Sequence, residues 1–235
     1  MSTLHTTKLN KVSESYYQSS RPELVDLVPI SAERVLELGC GEGRTGAAIR
    51  QRQRAFVTGI ELEPDIAGIA TTSLNDVRQA DLDSFDFPWE EASFDCIIAA
   101  DIVEHLRDPW RVLRESYRLL ARHGVIIVSI PNISFSGIIS NLMSGRFDYR
   151  DTGLLDRTHL RFFTRATFAE ALLDAGFILA KTESIFVDPG LEERLHNSSP
   201  TGTLDLGKGT IQYESHEELR DILTYQWIMV GMKTS

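Results

Sequence analysis

The stretch Arg34-Val35-Leu36-Glu37-Leu38-Gly39-Cys40-Gly41-Glu42-Gly43 restricts what this chain can fold into more than any other. Its β-branched and aliphatic residues read as a buried strand. Gly39, Gly41 and Gly43 read as a turn in which a ligand approaches the backbone closely. A helical segment, Thr45 to Gln53, follows at once. Strand, glycine turn and helix in that order make a nucleotide-type site.

Two glycine spacings overlap there. From Gly39 the pattern is Glu-x-Gly-x-Gly-x-Gly; from Gly41 through Gly43 and Gly46 it is a formal G-x-G-x-x-G dinucleotide fingerprint. The second reading aims a helix N-terminus at a pyrophosphate. Glu37 at the strand end and Glu42 in the loop are poorly placed for a doubly anionic group, but they would attract a ligand with a sulfonium and an ammonium. S-adenosylmethionine (SAM) is such a ligand. A nicotinamide dinucleotide held by Gly41, Gly43 and Gly46, as in an NAD(P)-dependent oxidoreductase, is the alternative. Phe56 to Glu61 reads as the next strand, and Glu61 lies 22 positions after Gly39, where a carboxylate can take both ribose hydroxyls. Asp81, at the end of Val77-Arg78-Gln79-Ala80, can accept from an adenine amino group. Three acids on one rim favour the cationic cofactor.

Further along, Glu63-Pro64-Asp65 opens a helix running to about Leu74, and Asp95 to Ala100 is a buried fourth strand. That strand delivers Asp101 to His105 onto the carboxyl rim. Asp108 caps a helix with Pro109 at its first position, and Trp110, Leu113, Tyr117 and Leu120 follow one face of it. Val125 to Ile130 is a fifth strand, Thr164 caps a helix to Asp174, and Phe177 to Val187 reads as a long strand. Alternating strands and helices imply a doubly wound α/β fold with a mostly parallel sheet and helices on both faces. Ser198 to Tyr213, rich in Gly, Ser and Thr without periodicity, reads as a loop. Thr224 to Val230 reads as a last strand.

A net charge of −10 argues against a chain that must hold a phosphate backbone, so nucleic acid is not expected as a partner. The two cysteines, Cys40 and Cys96, have no metal-ligand spacing and are expected as buried thiols. No apolar run approaches the ~18 residues of a membrane span, and the N-terminus lacks a signal pattern; a soluble cytoplasmic protein without membrane insertion is expected, as monomer or homodimer.

Val35 to Gly43, Gly59 to Asp65, Ala80-Asp81 and the run from Ser93-Phe94-Asp95 to Pro109 resemble the successive motifs of class I SAM-dependent methyltransferases. Ala99 to Leu106 and Asp156-Arg157-Thr158-His159-Leu160-Arg161-Phe162-Phe163-Thr164 resemble their small-molecule branch. That branch includes the ubiquinone-type O-methyltransferases and methyltransferases found with bacterial glycosyltransferases. The resemblance implies a Rossmann-like sheet of seven strands whose last strand lies antiparallel beside the fifth. It implies one domain over 1–235, with an N-terminal cap segment 1–29 and a lid insertion 132–164. It also implies a SAM site at Glu37, Gly39, Cys40, Gly41 and Gly43, at Glu61 and Leu62, at Asp81 and Leu82, and at Ala100. Tyr17 or Arg21 would lie near the cofactor's carboxylate. The implied acceptor is a small molecule, most readily a hydroxyl of a sugar or other secondary or cell-envelope metabolite. A SAM-fold module that has lost catalysis stays open.

Methyl transfer to a hydroxyl needs alignment and a group that removes the proton. His105 and His159 are the candidates, since histidine titrates near neutrality. His159 has the stronger case, because Asp156-x-x-His159-x-x-x-Phe163-Thr164 forms no obvious core stripe and Asp156 and Arg157 could orient it. His105 can equally bond a backbone carbonyl on the rim, and the Asp156 segment can equally be a polar strap. No metal is expected: Asp101 and Asn132 could be offered as a carboxylate and an amide, but their spacing is unspecific.

Overall fold

The computed structural model of the protein describes residues 21–234. Its main sheet takes β1 Arg34–Leu38, β2 Phe56–Glu61, β3 Asp76–Gln79, β4 Phe94–Ala100, β5 Leu120–Pro131, β6 Ile178–Ile185 and β9 Gln226–Met232. They lie in the order β3-β2-β1-β4-β5-β9-β6. Strands β1 to β5 pair in parallel, while β9 runs antiparallel between β5 and β6, with Ile127 opposite Val230. The seven-stranded doubly wound sheet with an antiparallel last strand is therefore as the sequence implied. Strands β1, β2 and β4 are apolar on both faces because helices cover both. On one side Leu36, Leu38 and Ile97 pack against Leu113 of α4 (Pro109–Leu119) and Phe168 and Leu172 of α6 (Arg165–Asp174). On the other, Val35, Val57 and Ile98 pack against Leu24 of α1 (Pro22–Val25), Ile49 of α2 (Arg44–Arg52) and Ala70 of α3 (Pro64–Ala70).

The expected caps are present. Asp108 accepts the Arg111 amide at 3.0 Å ahead of Pro109, and Thr164 forms a reciprocal capping box with Thr167. Trp110 is a correction: it is not on the core face of α4 but 41% exposed, with the Arg161 guanidinium over its ring.

The segment 198–213 is also corrected. It is no simple loop: after α7 (Pro189–Asn197), β7 (Gly202–Asp205) and β8 (Thr210–Tyr213) form a hairpin, followed by α8 (His216–Leu223). Leu195, Leu204, Tyr213 and Leu219 close a small core of their own. Strands of four residues are too short to show a period among Gly, Ser and Thr.

The site is positioned where the sheet order reverses. From β1 the chain proceeds outward through β2 and β3, then returns to place β4 on the other side of β1. At that point the connections leave in opposite directions and open a crevice at the strands' carboxyl ends.

Candidate active site

The glycine turn after β1 has left-handed backbone at Gly39, Gly41 and Gly43, with φ of 67°, 53° and 78°. A Cβ on Gly39 would come within 2.9 Å of the Ile102 side chain, so the turn can pass under the β4 rim only without one. Glu37 lies beneath the turn, 3% exposed, and its carboxylate accepts the Gly46 amide at 3.1 Å. Burial pushes its pKa up to about 8, against the lowering effect of Gly46 and Thr45. At neutral pH this residue therefore braces the turn mainly as a neutral acid.

Above the turn lies a cavity of about 250 Å³ lined by Gly39, Glu61, Asp81, Leu82, His105 and Leu160, among others. Glu61 fixes its floor: one carboxylate oxygen accepts the Gly41 amide at 2.9 Å, and the other accepts Leu62 and Glu63 amides at 2.9 and 3.0 Å. A carboxylate has about four lone-pair positions, so these three donors leave room for a ligand hydroxyl. Asp81 is exposed at the cavity edge and accepts the Asp83 amide. Asp83 in turn accepts the Arg107 amide, joining the β3 loop to the rim beyond β4. A larger cleft of about 500 Å³, lined by Arg44, Gln51 and Ser73 among others, includes neither these acids nor the histidines.

The rim beyond β4 carries Asp101, Glu104 and His105. Asp101 holds a positive φ of 50°, a conformation Asp tolerates better than most residues. Ser129 Oγ donates to its carboxylate at 2.9 Å, and Arg21 and Gln226 bind the same carboxylate. Burial opposes charge on Arg21, but Asp101 and Glu23 outweigh it and raise its pKa. The Glu104 carbonyl accepts amides from Leu160 and Arg161 at 2.8 and 3.0 Å, docking the later segment onto the rim. The Glu104 side chain is 2% exposed, and its Oε2 has no hydrogen-bond partner among the described residues. Burial first, then the nearby Asp101, raise its pKa and favour the neutral acid.

The two histidine rings meet edge to face with centroids 4.7 Å apart. His105 lines the cavity. His159 lies behind it with 6% of its side chain exposed, its Nδ1 3.2 Å from the Leu154 carbonyl and its Nε2 4.0 Å from Glu104 Oε1. Burial lowers both histidine pKa values, and the neighbouring His159 lowers that of His105 further. Both rings are therefore neutral near pH 7. One ligand-type atom from each of Glu104, His105 and His159 lies within 4.8 Å of the other two.

The structure thus gathers Gly39, Glu61, Leu62, Asp81, Leu82 and His105 around one cavity. Glu37 sits below it, Cys40 packs its thiol over Gly59, and Gly41 and Gly43 shape the turn. Ala100 ends β4 opposite Ser129. Arg21 is paired with Asp101, and Tyr17 lies outside the described residues. Sequence reasoning missed Glu104, although an acid inside the apolar run after β4 was a usable signal. It also missed Thr158, which gave none.

A family model described as a methyltransferase domain matches residues 13–182. The chain belongs to the class I SAM-dependent methyltransferases. The "Probable S-adenosylmethionine-dependent methyltransferase" of Mycolicibacterium smegmatis is 34% identical over 164 residues, covering 68% of this chain and 57% of that protein. A ubiquinone biosynthesis O-methyltransferase of Psychrobacter arcticus is 28% identical, covering 74% of this chain and 71% of that protein. The crystal structure of a SAM-dependent methyltransferase from Archaeoglobus fulgidus shares the fold with a TM-score of 0.65 at 18% identity, covering 94% of this chain and 97% of that one. Against the mycolicibacterial relative the methyltransferase chain spans little more than half the length. SAM is the cofactor of this family, which sets the nicotinamide reading aside. No helix among the described residues is long and apolar enough to cross a membrane.

Proposed function

We propose that this methyltransferase moves the methyl group of SAM to a hydroxyl of a small-molecule acceptor, with His105 taking the hydroxyl proton. The observation that carries the reading is the placement of His105 on the same cavity as Gly39, Glu61 and Asp81. SAM, when bound, supplies a methyl carbon already activated by its sulfonium. The protein's share is alignment and proton removal. Glu61 would accept from a ribose hydroxyl with the acceptor position its three amide donors leave free, and Asp81 would take the adenine amino group. His105, kept neutral by burial, presents a base at neutral pH. His159 packs against the base from behind, and segment 132–164 would cover the acceptor side as a lid. A sugar or cell-envelope hydroxyl remains the preferred acceptor class, and the Psychrobacter relative supports O-methylation.

Transfer of labelled methyl from SAM to a panel of sugar, phenol and polyketide hydroxyls tests the reaction class. Label in a hydroxyl acceptor, with no transfer to matched amines, is expected. Transfer to amines alone would overturn the O-methyl reading, and calorimetric SAM binding without transfer to any acceptor would favour a binding module.

A further inference from the structure

The motif Asp156-Arg157-Thr158-His159 carries one of the two histidines, and its threonine touches the other. Thr158 Oγ1 lies 3.1 Å from His105 Nδ1 and 2.6 Å from Asp156 Oδ1. The same Asp156 oxygen accepts the Thr158 amide at 2.8 Å, fixing the hydroxyl's position in a tight turn. A hydroxyl has one proton and two lone pairs, and an ionised carboxylate can only accept. At 2.6 Å the Thr158 hydroxyl donates its hydrogen bond to the Asp156 carboxylate. The hydroxyl then offers only a lone pair to His105, so His105 Nδ1 must be the donor. A neutral ring with its proton on Nδ1 has its lone pair on Nε2.

We propose that Thr158 and Asp156 are positioning residues that lock His105 in its Nδ1–H tautomer, leaving Nε2 as the proton-accepting nitrogen of the methyltransferase reaction. The proposal rests on the reading of His105 as base. The lock couples two segments 53 positions apart, since His105 follows β4 and Thr158 belongs to the segment docked on the Glu104 carbonyl by Leu160 and Arg161. Thr158 is exposed, so the lock grips the solvent side of a half-buried ring. The proton taken from the acceptor oxygen arrives at Nε2 as the methyl–oxygen bond forms and the sulfonium–methyl bond breaks. The resulting imidazolium keeps its Nδ1–H bonded to Thr158, and through it faces Asp156. His159, Glu104 and Asp101 are the other titratable groups near it.

Nitrogen-15 NMR of the His105 ring above its titration, together with kcat, tests this in full-length protein. Wild type and Thr158→Ser should show the Nδ1–H tautomer and comparable turnover. Thr158→Val removes the hydroxyl acceptor, and Asp156→Ala frees the threonine proton to point at Nδ1. Both should shift His105 toward the Nε2–H form and lower kcat by roughly 10-fold or more, within the ~10⁴-fold that a wrong histidine tautomer costs a serine-protease triad. Thermal unfolding identifies variants that merely fail to fold, and rescue by Thr158→Ser excludes a packing effect. An unchanged Nδ1–H tautomer in folded Thr158→Val would overturn the lock. A shifted tautomer with unchanged kcat would uphold the lock and remove His105 as the base.

Discussion

The ring of His159 stands edge-on to the ring of His105, 4.7 Å between centroids, and Glu104 Oε1 lies 4.0 Å behind it. The pair forms a graded arrangement: a cavity-lining imidazole, a second imidazole with little solvent contact, then a buried carboxyl that favours its neutral form. Direct proton transfer to His105 predicts that turnover survives exhaustive treatment with a chelator. Loss of activity that Mg²⁺, Mn²⁺ or Zn²⁺ restores would instead place a cation among these three side chains.

Glu61→Ala should weaken SAM binding by about one to two decades, the equivalent of ~1.5–3 kcal/mol for charged hydrogen bonds. The same carboxylate ties Gly41, Leu62 and Glu63 together, so the variant should also loosen the turn. Calorimetry on folded Glu61→Ala with unchanged SAM affinity would remove this residue from the ribose site.

Glu37 makes a prediction about stability. Its folded pKa of about 8 lies above the ordinary glutamate value, so between the two values the native state holds a proton that the unfolded chain has released. Stability from this group is therefore present at low pH and lost as pH rises from the ordinary carboxylate range through about 8. Glu37→Gln keeps an acceptor for Gly46 and cannot ionise. Relative to wild type it should gain stability between pH 5 and pH 9 by an amount on the order of a few kcal/mol. Parallel unfolding curves for both proteins at both pH values would show that Glu37 is not held neutral.

The sheet was legible because Val35 to Leu38 and Cys96 to Ala99 are largely apolar runs, because Gly39 ends the first of them, and because Asp108, Pro109 and Thr164 mark the starts of the intervening helices with specific chemistry. Glu61 was legible from its distance to Gly39, since the strand–turn–helix unit has a fixed reach. What escaped reading depends on tertiary placement. Glu37 turns down beneath the turn to accept the Gly46 amide, whereas Glu61 lines the cavity, and the sequence does not distinguish the two. Which histidine lines the cavity was not legible for a related reason. His159 sits in the more motif-like segment, but the docking of Leu160 and Arg161 on the Glu104 carbonyl sets it behind His105. The hairpin at 202–213 was hidden by strands too short to alternate visibly.

The pH dependence of single-turnover methyl transfer from labelled SAM to a hydroxyl acceptor tests the role of His105 most directly. Because burial lowers the His105 pKa, the basic form should persist below the ordinary histidine value of ~6.5, and the wild-type rate should fall only as pH drops further. His105→Ala should lower the rate by roughly 10²–10⁴-fold, abolish that acid-side fall and leave SAM affinity nearly intact. His159→Ala should retain the fall, displaced toward higher pH because a neighbour that lowers the His105 pKa is gone. A folded His105→Ala enzyme with the wild-type rate and the same pH profile would contradict the account.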